Sequence, residues 1–397
     1  MAVLNPSQAP PRDTGRTQQR ERPASSQSPG GAPRHLHGAD VLRAVAALAV
    51  IVVHASYWPL QNRGADRAVW QSVTLLARFC VPAFVVLTGL VLGFRYTDRR
   101  LRGAFLLRRA RRSVVPWLIW APVFCIADLV WIGTLQPTAS SLGSFLSGGA
   151  GHLYFLVLVP QLYALLLLWP ARRRPLLLLT AGALLLQVGL SVVRLHVPLG
   201  SGVVATLMLD HGYELFPFWI GFFAIGVLAG RRLASRRGRG LPAWPFVLAV
   251  PLTAAGLLWS DVSRATNAQY AHGTGAFLRP LLLPLAIAVC GAVVFGAPRL
   301  MLRLPRLHQA ALVLSRHSLG VYIVHPLLLA LLGPLLRPAL AVHLPWSILP
   351  FLAITLGSLA GALVFSAVIA RTPLAPIIGE ERARPRKEVE LVGRRAA

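Results

Sequence analysis

The chain has 397 residues, of which 55% are hydrophobic and only 13% are charged, with a mean hydropathy of +0.61. A soluble globular surface needs a more polar mixture, so this composition indicates a protein embedded in lipid. The formal charge of +27 does not indicate nucleic-acid binding, because the arginines stand between apolar segments, where they suit anionic lipid headgroups. Membrane lipids are therefore expected partners, and nucleic acid is not.

The three cysteines are isolated, odd in number and placed inside apolar segments. Their spacing gives neither a disulfide framework nor a cluster of metal ligands, so we predict no bound metal. Small buried hydrophobic side chains are the expected role of Cys80, Cys125 and Cys290.

Both ends of the chain differ in composition from the middle. Residues 1–38 are rich in Pro, Gln, Ser, Gly and Arg and hold almost no large apolar side chains, so this basic cytoplasmic tail is predicted to be disordered. Residues 372–397 form a second polar tail. The membrane domain is predicted to occupy residues 39–371.

A succession of apolar segments fills the region between the tails. A helix that rises about 1.5 Å per residue needs roughly 20 apolar residues to cross the hydrocarbon of a bilayer. The pattern predicts an all-α, polytopic membrane protein with about ten transmembrane helices. The predicted spans are 41–59, 73–94, 113–133, 152–170, 175–194, 214–230, 243–260, 277–296, 311–334 and 346–370.

Arginines are distributed unequally between the loops that join these spans. Loops 95–112 and 231–239 hold eight and five arginines, and loops 172–174 and 299–306 hold three each. The loops between these hold at most two each. Because basic loops stay on the cytoplasmic side, the alternation predicts an even number of spans with both termini in the cytoplasm, in a multi-pass protein of the cell membrane.

Two polar side chains share one face of the first predicted span. Arg43 and His54 are eleven residues apart, which at 100° per residue is three turns plus about 20°. An ionisable group at membrane depth normally faces a protein interior or a watered cavity, so we predict a cavity along this face, with Asp40 as a further lining residue. Arg43 and Asp40 are also consistent with a simple interfacial anchor. His54 lies deeper, and its imidazole titrates near neutrality, which suits a general base.

Five segments, taken in order, resemble a known family. In the first, DVLRAVAALAVIVVH, ten residues separate Arg43 from His54. The other four are RFCVPAFVVLTGLVLGF (78–94), RRARRSVVPWLIW (108–120), GHLYFLVLVPQLY (151–163) and SLGVYIVHPLLL (318–329). Together they are similar to the membrane proteins of acyltransferase family three over roughly residues 35–370.

The resemblance implies a membrane-bound O-acyltransferase. Such proteins commonly move an acyl group, usually acetyl from acetyl-CoA, to a hydroxyl of a sugar, glycan or glycosylated acceptor, as in polysaccharide modification. Mapped onto this sequence, His54 is the catalytic histidine and Arg43 its motif partner. Acyl-CoA is then the donor substrate, and a separate partner protein that completes the transfer stays open, since no fused soluble transferase domain is evident.

Basic residues before the third predicted span are candidates for binding the donor. Arg108 and Arg111 are three residues apart, as are Arg109 and Arg112, so each pair shares a helix face. With the family resemblance, their guanidinium groups are expected to bind the phosphates of acyl-CoA. Topology signalling to lipid headgroups is the alternative.

Polar residues elsewhere are candidates for lining the cavity or binding the acceptor. Ser318, Tyr322 and His325 are spaced by four and three, so they form one stripe, which fits either a second cavity wall or hydrogen bonding between helices. One of the few carboxylates near the membrane, Glu214, is a candidate to orient a protonated histidine. The candidates at the outer ends of spans are His152, Tyr154 and Glu214.

Two other classes of protein fit the same polar residues. In a transporter or exporter of a lipid-linked saccharide, Arg43 and His54 line a translocation path. In a structural or sensing protein, the same side chains only join helices. The ordered five-segment resemblance favours the acyltransferase.

Overall fold

The computed structural model of the protein describes residues 36–60, 66–95, 103–132, 151–167, 169, 172–197, 199–200, 202–209, 211–235, 241–262, 277–340 and 342–380. Most of the two predicted tails, namely residues 1–35 and 381–397, lies outside the described residues. Across the described ranges, every regular element is helical. The α-helices are α1 (His37–Ala55), α2 (Tyr57–Leu60), α3 (Arg67–Ala77), α4 (Cys80–Arg95), α5 (Gly103–Ala127), α6 (Tyr154–Leu167), α7 (Arg173–His196), α8 (Val203–Leu209), α9 (Ile220–Ser235), α10 (Trp244–Val262), α11 (Leu282–Arg303), α12 (Pro305–Arg316), α13 (Ser318–Leu340) and α14 (Ile348–Ile369).

Length and hydropathy identify the helices that can cross a membrane. Seven segments of the described chain meet both requirements: His37–Ala55, Arg67–Arg95, Leu106–Val130, Arg174–His196, Leu282–Arg303, Ser318–Leu336 and Ile348–Ile369. Two shorter apolar helices, Gly151–Leu167 and Trp244–Ser260, coincide with two more predicted spans. The predicted all-helical membrane fold is confirmed, whereas the number of ten spans stays a prediction.

The predicted starts of the spans differ from the observed ones by several residues, and in two cases a break in the helix is the cause. The segment predicted as 311–334 is divided at His317, so that α12 ends at Arg316 and the apolar helix α13 begins at Ser318. The segment predicted as 214–230 begins with two short 3₁₀ turns, and the regular helix α9 starts only at Ile220. Pro217 accounts for this late start, because it cannot donate a backbone hydrogen bond within a helix.

The second candidate span is a helix broken near its middle. α3 ends at Ala77, residues 78 and 79 form a turn, and α4 begins at Cys80. Pro82 has no backbone N–H, so it cannot bond to the carbonyl of Arg78 four residues earlier, and its ring crowds that carbonyl. A proline therefore places a turn, with a charged residue in it, inside an apolar span.

Glycines bring α4 and α9 into backbone contact. Gly89 and Gly93 on α4 face Gly226 and Gly230 on α9, so each helix contributes a G-x-x-x-G pair. A Cβ atom added to Gly226 would lie 2.2 Å from the carbonyl oxygen of Val86. Small residues at this spacing let helix backbones approach closely, which strengthens van der Waals packing where no hydrophobic effect between helices operates. The contact fixes the position of α4.

α1 is surrounded by other helices and forms the centre of the domain. It contacts α3, α4, α11, α12, α13 and α14. Leu42, Ala46 and Ile51 on α1 have no accessible surface. Arg43 and His54 on this helix are partly buried among these neighbours, whereas His37 at its first residue is exposed.

A polar clasp joins two segments beyond the ends of the spans. Asp66, which precedes α3, accepts hydrogen bonds from the Leu344 backbone N–H at 2.8 Å and from His343 Nδ1 at 2.9 Å. The hydrogen bond from Leu344, together with that from His343, lowers the pKa of Asp66 below its usual range. The clasp ties the start of α3 to the loop between α13 and α14.

The glycine contact predicts a site-specific loss of stability. Gly226→Ala should destabilise the protein by about 1–3 kcal/mol, because the added methyl group meets backbone that cannot move aside alone. The measurement is the thermal unfolding midpoint of the purified protein in detergent. The matched control is Gly256→Ala on α10, where an added Cβ meets no atom within 4 Å, so its midpoint should stay the same or rise slightly. Equal midpoints for the two variants would contradict the proposed packing role.

Candidate active site

Three histidines from different parts of the chain meet in the interior. His54 lies near the end of α1, His152 in the 3₁₀ turn before α6, and His325 two turns into α13. The ring centroid of His54 is 5.0 Å from that of His325 and 6.2 Å from that of His152. The centroids of His152 and His325 are 5.5 Å apart. We call these three residues the histidine cluster.

Backbone carbonyls orient two members of the cluster. His152 Nε2 donates to the carbonyl oxygen of Ile323 at 3.1 Å, and His325 Nδ1 donates to that of Val321 at 3.1 Å. Because a carbonyl only accepts, each bond fixes which ring nitrogen carries the hydrogen. His325 Nε2 is then a lone-pair acceptor, buried beside His54 and without a hydrogen-bond partner in the described part of the chain.

His54 differs from its neighbours because no hydrogen bond to a described residue holds its ring. Ring contacts with His152 and His325 position it instead. Both of its nitrogens therefore stay available to a substrate. A histidine with this freedom, next to an acceptor that can take an N–H, is suited to receive and release a proton.

A cavity of about 190 Å³ lies between α1, α4, α5, α6 and α13. Apolar side chains form much of its wall. Its polar lining residues include Arg43, Arg109, Ser113, Ser318 and Tyr322. Two guanidinium groups thus face one mostly apolar cavity, an arrangement that suits a ligand with an anionic end and an apolar arm.

Arg43 is held in place by two neighbours. Its Nη1 donates to Asp40 Oδ1 at 3.2 Å and to Ser315 Oγ at 3.1 Å. The hydroxyl of Ser315 in turn donates to Asp40 Oδ1 at 2.9 Å. This triangle joins α1 to the end of α12 and leaves the rest of the guanidinium directed at the cavity.

Tyr322 is shared by the cavity and the histidine cluster. Its side chain lines the cavity, and its hydroxyl donates to the carbonyl oxygen of His152. Its ring centroid is 5.4 Å from that of His152 and 6.3 Å from that of His325. The cavity and the cluster are therefore neighbouring compartments that meet at one aromatic ring.

The sequence model of one protein family, described as an acyltransferase domain, matches residues 36–371. The chain belongs to acyltransferase family 3. The match covers every described helix up to α14 and includes both the cavity and the histidine cluster. No protein of curated function and no solved structure matches the chain. The family-3 chain is accordingly a membrane acyltransferase.

The structure separates the four arginines that were predicted to bind the donor of this family-3 protein. Arg109 is partly buried and lines the cavity. Arg108, Arg111 and Arg112 are exposed and do not line it. Ser113, four residues beyond Arg109 and so on the same face of α5, lines the cavity too. The role of these arginines in donor binding stays a prediction, and the geometry favours Arg109.

The remaining predicted residues fall into two groups. Ser318 and Tyr322 line the cavity, whereas His325 lies beyond them in the histidine cluster, so the predicted stripe on α13 runs from one compartment to the other. Tyr154 is buried, and its ring packs against Tyr213 with centroids 5.1 Å apart. Glu214 does not contact the cluster: its Oε2 is bonded to His211 Nδ1 at 3.2 Å.

Sequence reasoning missed several residues of this region. Phe124 packs edge-on against His152 with ring centroids 4.7 Å apart, and Ser315 bonds to Arg43. Neither is distinguishable in the sequence from many similar residues. Arg78 is different, because it is a charge in the apolar segment 73–94 with a proline four residues later, and this pattern could have identified it.

The three clustered histidines do not form a metal site. Within the described ranges, no group of three or more His, Cys, Asp or Glu side chains has an arrangement that could hold a metal ion. Proton transfer is another common role of imidazole, and it is open to His54, whose ring nitrogens bond to no described residue.

Proposed function

We propose that this protein transfers an acyl group, most simply acetyl, from acyl-CoA to a hydroxyl of a sugar, glycan or glycosylated acceptor, with His54 as general base. The observation that carries the proposal is the position of His54. It lies in a cluster of histidines that adjoins a cavity lined by Arg43 and Arg109. Family membership supports acyl transfer, and the geometry supports the assignment of roles.

The cavity is proposed to take the acyl-bearing arm of the donor. At about 190 Å³ it is too small for a whole coenzyme A, so the phosphates would remain at its arginine end. Guanidinium groups bind phosphate through paired hydrogen bonds, which suits Arg43 and Arg109. The apolar remainder of the lining suits the pantetheine arm.

The proposed reaction balances with one proton moving in a cycle. His54 takes the proton of the acceptor hydroxyl as the oxygen attacks the thioester carbonyl. The tetrahedral intermediate collapses, the carbon–sulfur bond breaks, and the protonated His54 returns the proton to the thiolate of coenzyme A. The free Nε2 of His325 can accept a hydrogen bond from the imidazolium while that charge exists. A covalent acyl-histidine intermediate is a less favoured variant.

We also propose ten spans with both termini in the cytoplasm of a cell-membrane protein, which extends the seven apolar helices by α6, α9 and α10. The alternating arginine content of the loops supports this orientation. Single cysteines introduced into loops 95–112 and 261–276 should label from opposite sides of the membrane. Labelling of both from the same side would overturn the topology.

Removal of the imidazole tests the assignment of His54. His54→Ala should lower acyl transfer by about 10²–10⁴-fold, the usual contribution of a general base, while the amount of protein in the membrane is unchanged. The measurement is release of free coenzyme A from acetyl-CoA by membranes containing each variant. His196→Ala, at an exposed histidine near the end of α7, is the matched control and should retain activity. Full activity of His54→Ala would remove the central claim.

A paired substitution tests the donor site. Arg109→Gln should raise the KM for acetyl-CoA about tenfold with little change in kcat, because Arg109 faces the cavity. Arg108→Gln, one residue away and exposed, should change KM less than twofold. Equal effects of the two substitutions would show that these arginines serve topology rather than donor binding.

Thioester turnover also separates the acyltransferase from a transporter or exporter of a lipid-linked saccharide. An exporter needs no acyl-CoA cleavage, whereas the proposed reaction releases one coenzyme A for each acceptor modified. The family match supports the acyltransferase and gives the exporter no support.

A further inference from the structure

Arg78 is a charged side chain that forms no ion pair with a described residue of the membrane domain. It lies in the turn between α3 and α4, and its Nη1 atom is buried with no hydrogen-bond partner among the residues that the structure describes. Its guanidinium lies over the ring of Phe277, with Cζ 5.1 Å from the ring centroid. The side chain as a whole is partly buried, and an unpaired charge with a fully buried N–H group is costly, so it calls for a ligand of opposite charge.

A second unpartnered polar group belongs to the same region. Tyr154 is only 3% exposed, and its hydroxyl has no hydrogen-bond partner in the described ranges. The side chains of Tyr213 and Trp219 pack against its ring and hold it in position. A fixed phenolic O–H donates one hydrogen bond, which is what an anionic oxygen accepts.

Electrostatics connect these two groups to the histidine cluster. The charge of Arg78 acts on the Tyr154 hydroxyl, on His54 and on Arg279, an arginine that is itself buried. Arg279 lies two residues beyond Phe277, just before α11. Arg78 and Arg279 thus place two positive charges near Phe277, and no described Asp or Glu forms an ion pair with Arg78.

This region is distinct from the cavity proposed for the donor. Neither Arg78 nor Tyr154 lines that cavity; Arg78 acts electrostatically on His54, and Tyr154 follows His152 by two residues along the chain. In the proposed topology, Phe277 and Arg279 follow an arginine-poor outer loop, so the region lies on the outer side of His54. In that topology, donor and acceptor would reach His54 from opposite sides of the membrane.

We propose that Arg78 and Tyr154, with Arg279 nearby, bind an anionic group of the acyl acceptor, which is therefore an acidic sugar or sugar phosphate rather than a neutral sugar. The inference rests on the proposed function and specifies its acceptor class. Arg78 supplies a guanidinium fork for a carboxylate or phosphate, and Tyr154 supplies one further donor. Anchoring the acceptor by its charge leaves a neighbouring hydroxyl beside His54.

A binding measurement tests the site without requiring turnover. The purified full-length protein in neutral detergent is titrated with glucuronate, glucose 1-phosphate and glucose at constant ionic strength, and its unfolding midpoint is recorded. At least one of the two acids should raise the midpoint in a saturable way, and glucose should not. Stabilisation by phosphatidylglycerol but by neither acid would assign Arg78 to a lipid headgroup and overturn the proposal.

Substitutions locate the effect. Arg78→Gln should weaken the apparent affinity for the acid about tenfold or more, and Tyr154→Phe several-fold, because each removes a hydrogen bond to a charged group. Arg67→Gln, at an exposed arginine of α3, should leave it unchanged. Without added acid, Arg78→Gln should keep the midpoint of the parent protein, because it removes an unpaired buried charge. A lower midpoint for Arg78→Gln together with unchanged binding in Tyr154→Phe would show a structural role and overturn the site.

The two proposals can fail separately. His54→Ala should still bind the acid, because His54 is not part of the anion site. If His54→Ala keeps full acyl transfer while Arg78→Gln loses acid binding, the base assignment fails and the anion site stands. If both acids act equally on the parent protein, Arg78→Gln and Tyr154→Phe, the anion site fails whatever the activity of His54→Ala.

Discussion

Close approach of two helices through glycine is the constraint on which the rest of this structure depends. Between apolar helices in lipid, packing replaces the hydrophobic effect, and the paired G-x-x-x-G segments of α4 and α9 allow backbone atoms to touch. α4 contributes Phe84, Leu87 and Thr88 to the cavity, and its first residue follows the turn that holds Arg78. A shift of this one helix would therefore change the cavity and the position of Arg78 together.

The cavity and the histidine cluster are connected by α1. Arg43 on this helix faces the cavity, and His54, about three turns later, joins the histidine cluster. Ser315 of α12 and Val321 of α13 anchor polar groups on either side of the short break at His317, so the break serves both compartments. His54 therefore lies between the proposed donor site and the proposed acceptor site.

Much of this arrangement could be predicted because helical periodicity is a local property. The spacing of Arg43 and His54, and that of Ser318, Tyr322 and His325, placed each set on one face, and the structure shows both faces turned inward. Which of two adjacent arginines faces the cavity could not be predicted, because the rotation of α5 about its axis is set by its neighbours. For the same reason the sequence could not show that His152 would join His54.

Other differences have a comparable origin in tertiary packing. Glu214 was a candidate to orient a histidine, and it does pair with one, but that histidine is the local His211 rather than a member of the cluster. The G-x-x-x-G segments are visible in the sequence, but a helix face of small residues does not show which other helix packs against it. Arg78 is not among the residues that the family resemblance predicts, although a charge and a proline in one apolar span already indicate a broken helix.

The position of Tyr322 bears on how much of the donor thioester would be lost to hydrolysis. A thioester is open to attack by water as well as by an alcohol, and water is far more abundant than any sugar. The ring of Tyr322, held by its hydrogen bond to the carbonyl of His152, stands between the cavity and the histidines. For an acyl group held in the cavity as proposed, this ring would restrict the route by which a water molecule near the histidines reaches the thioester. Loss of the aromatic ring would then raise hydrolysis of the donor relative to transfer.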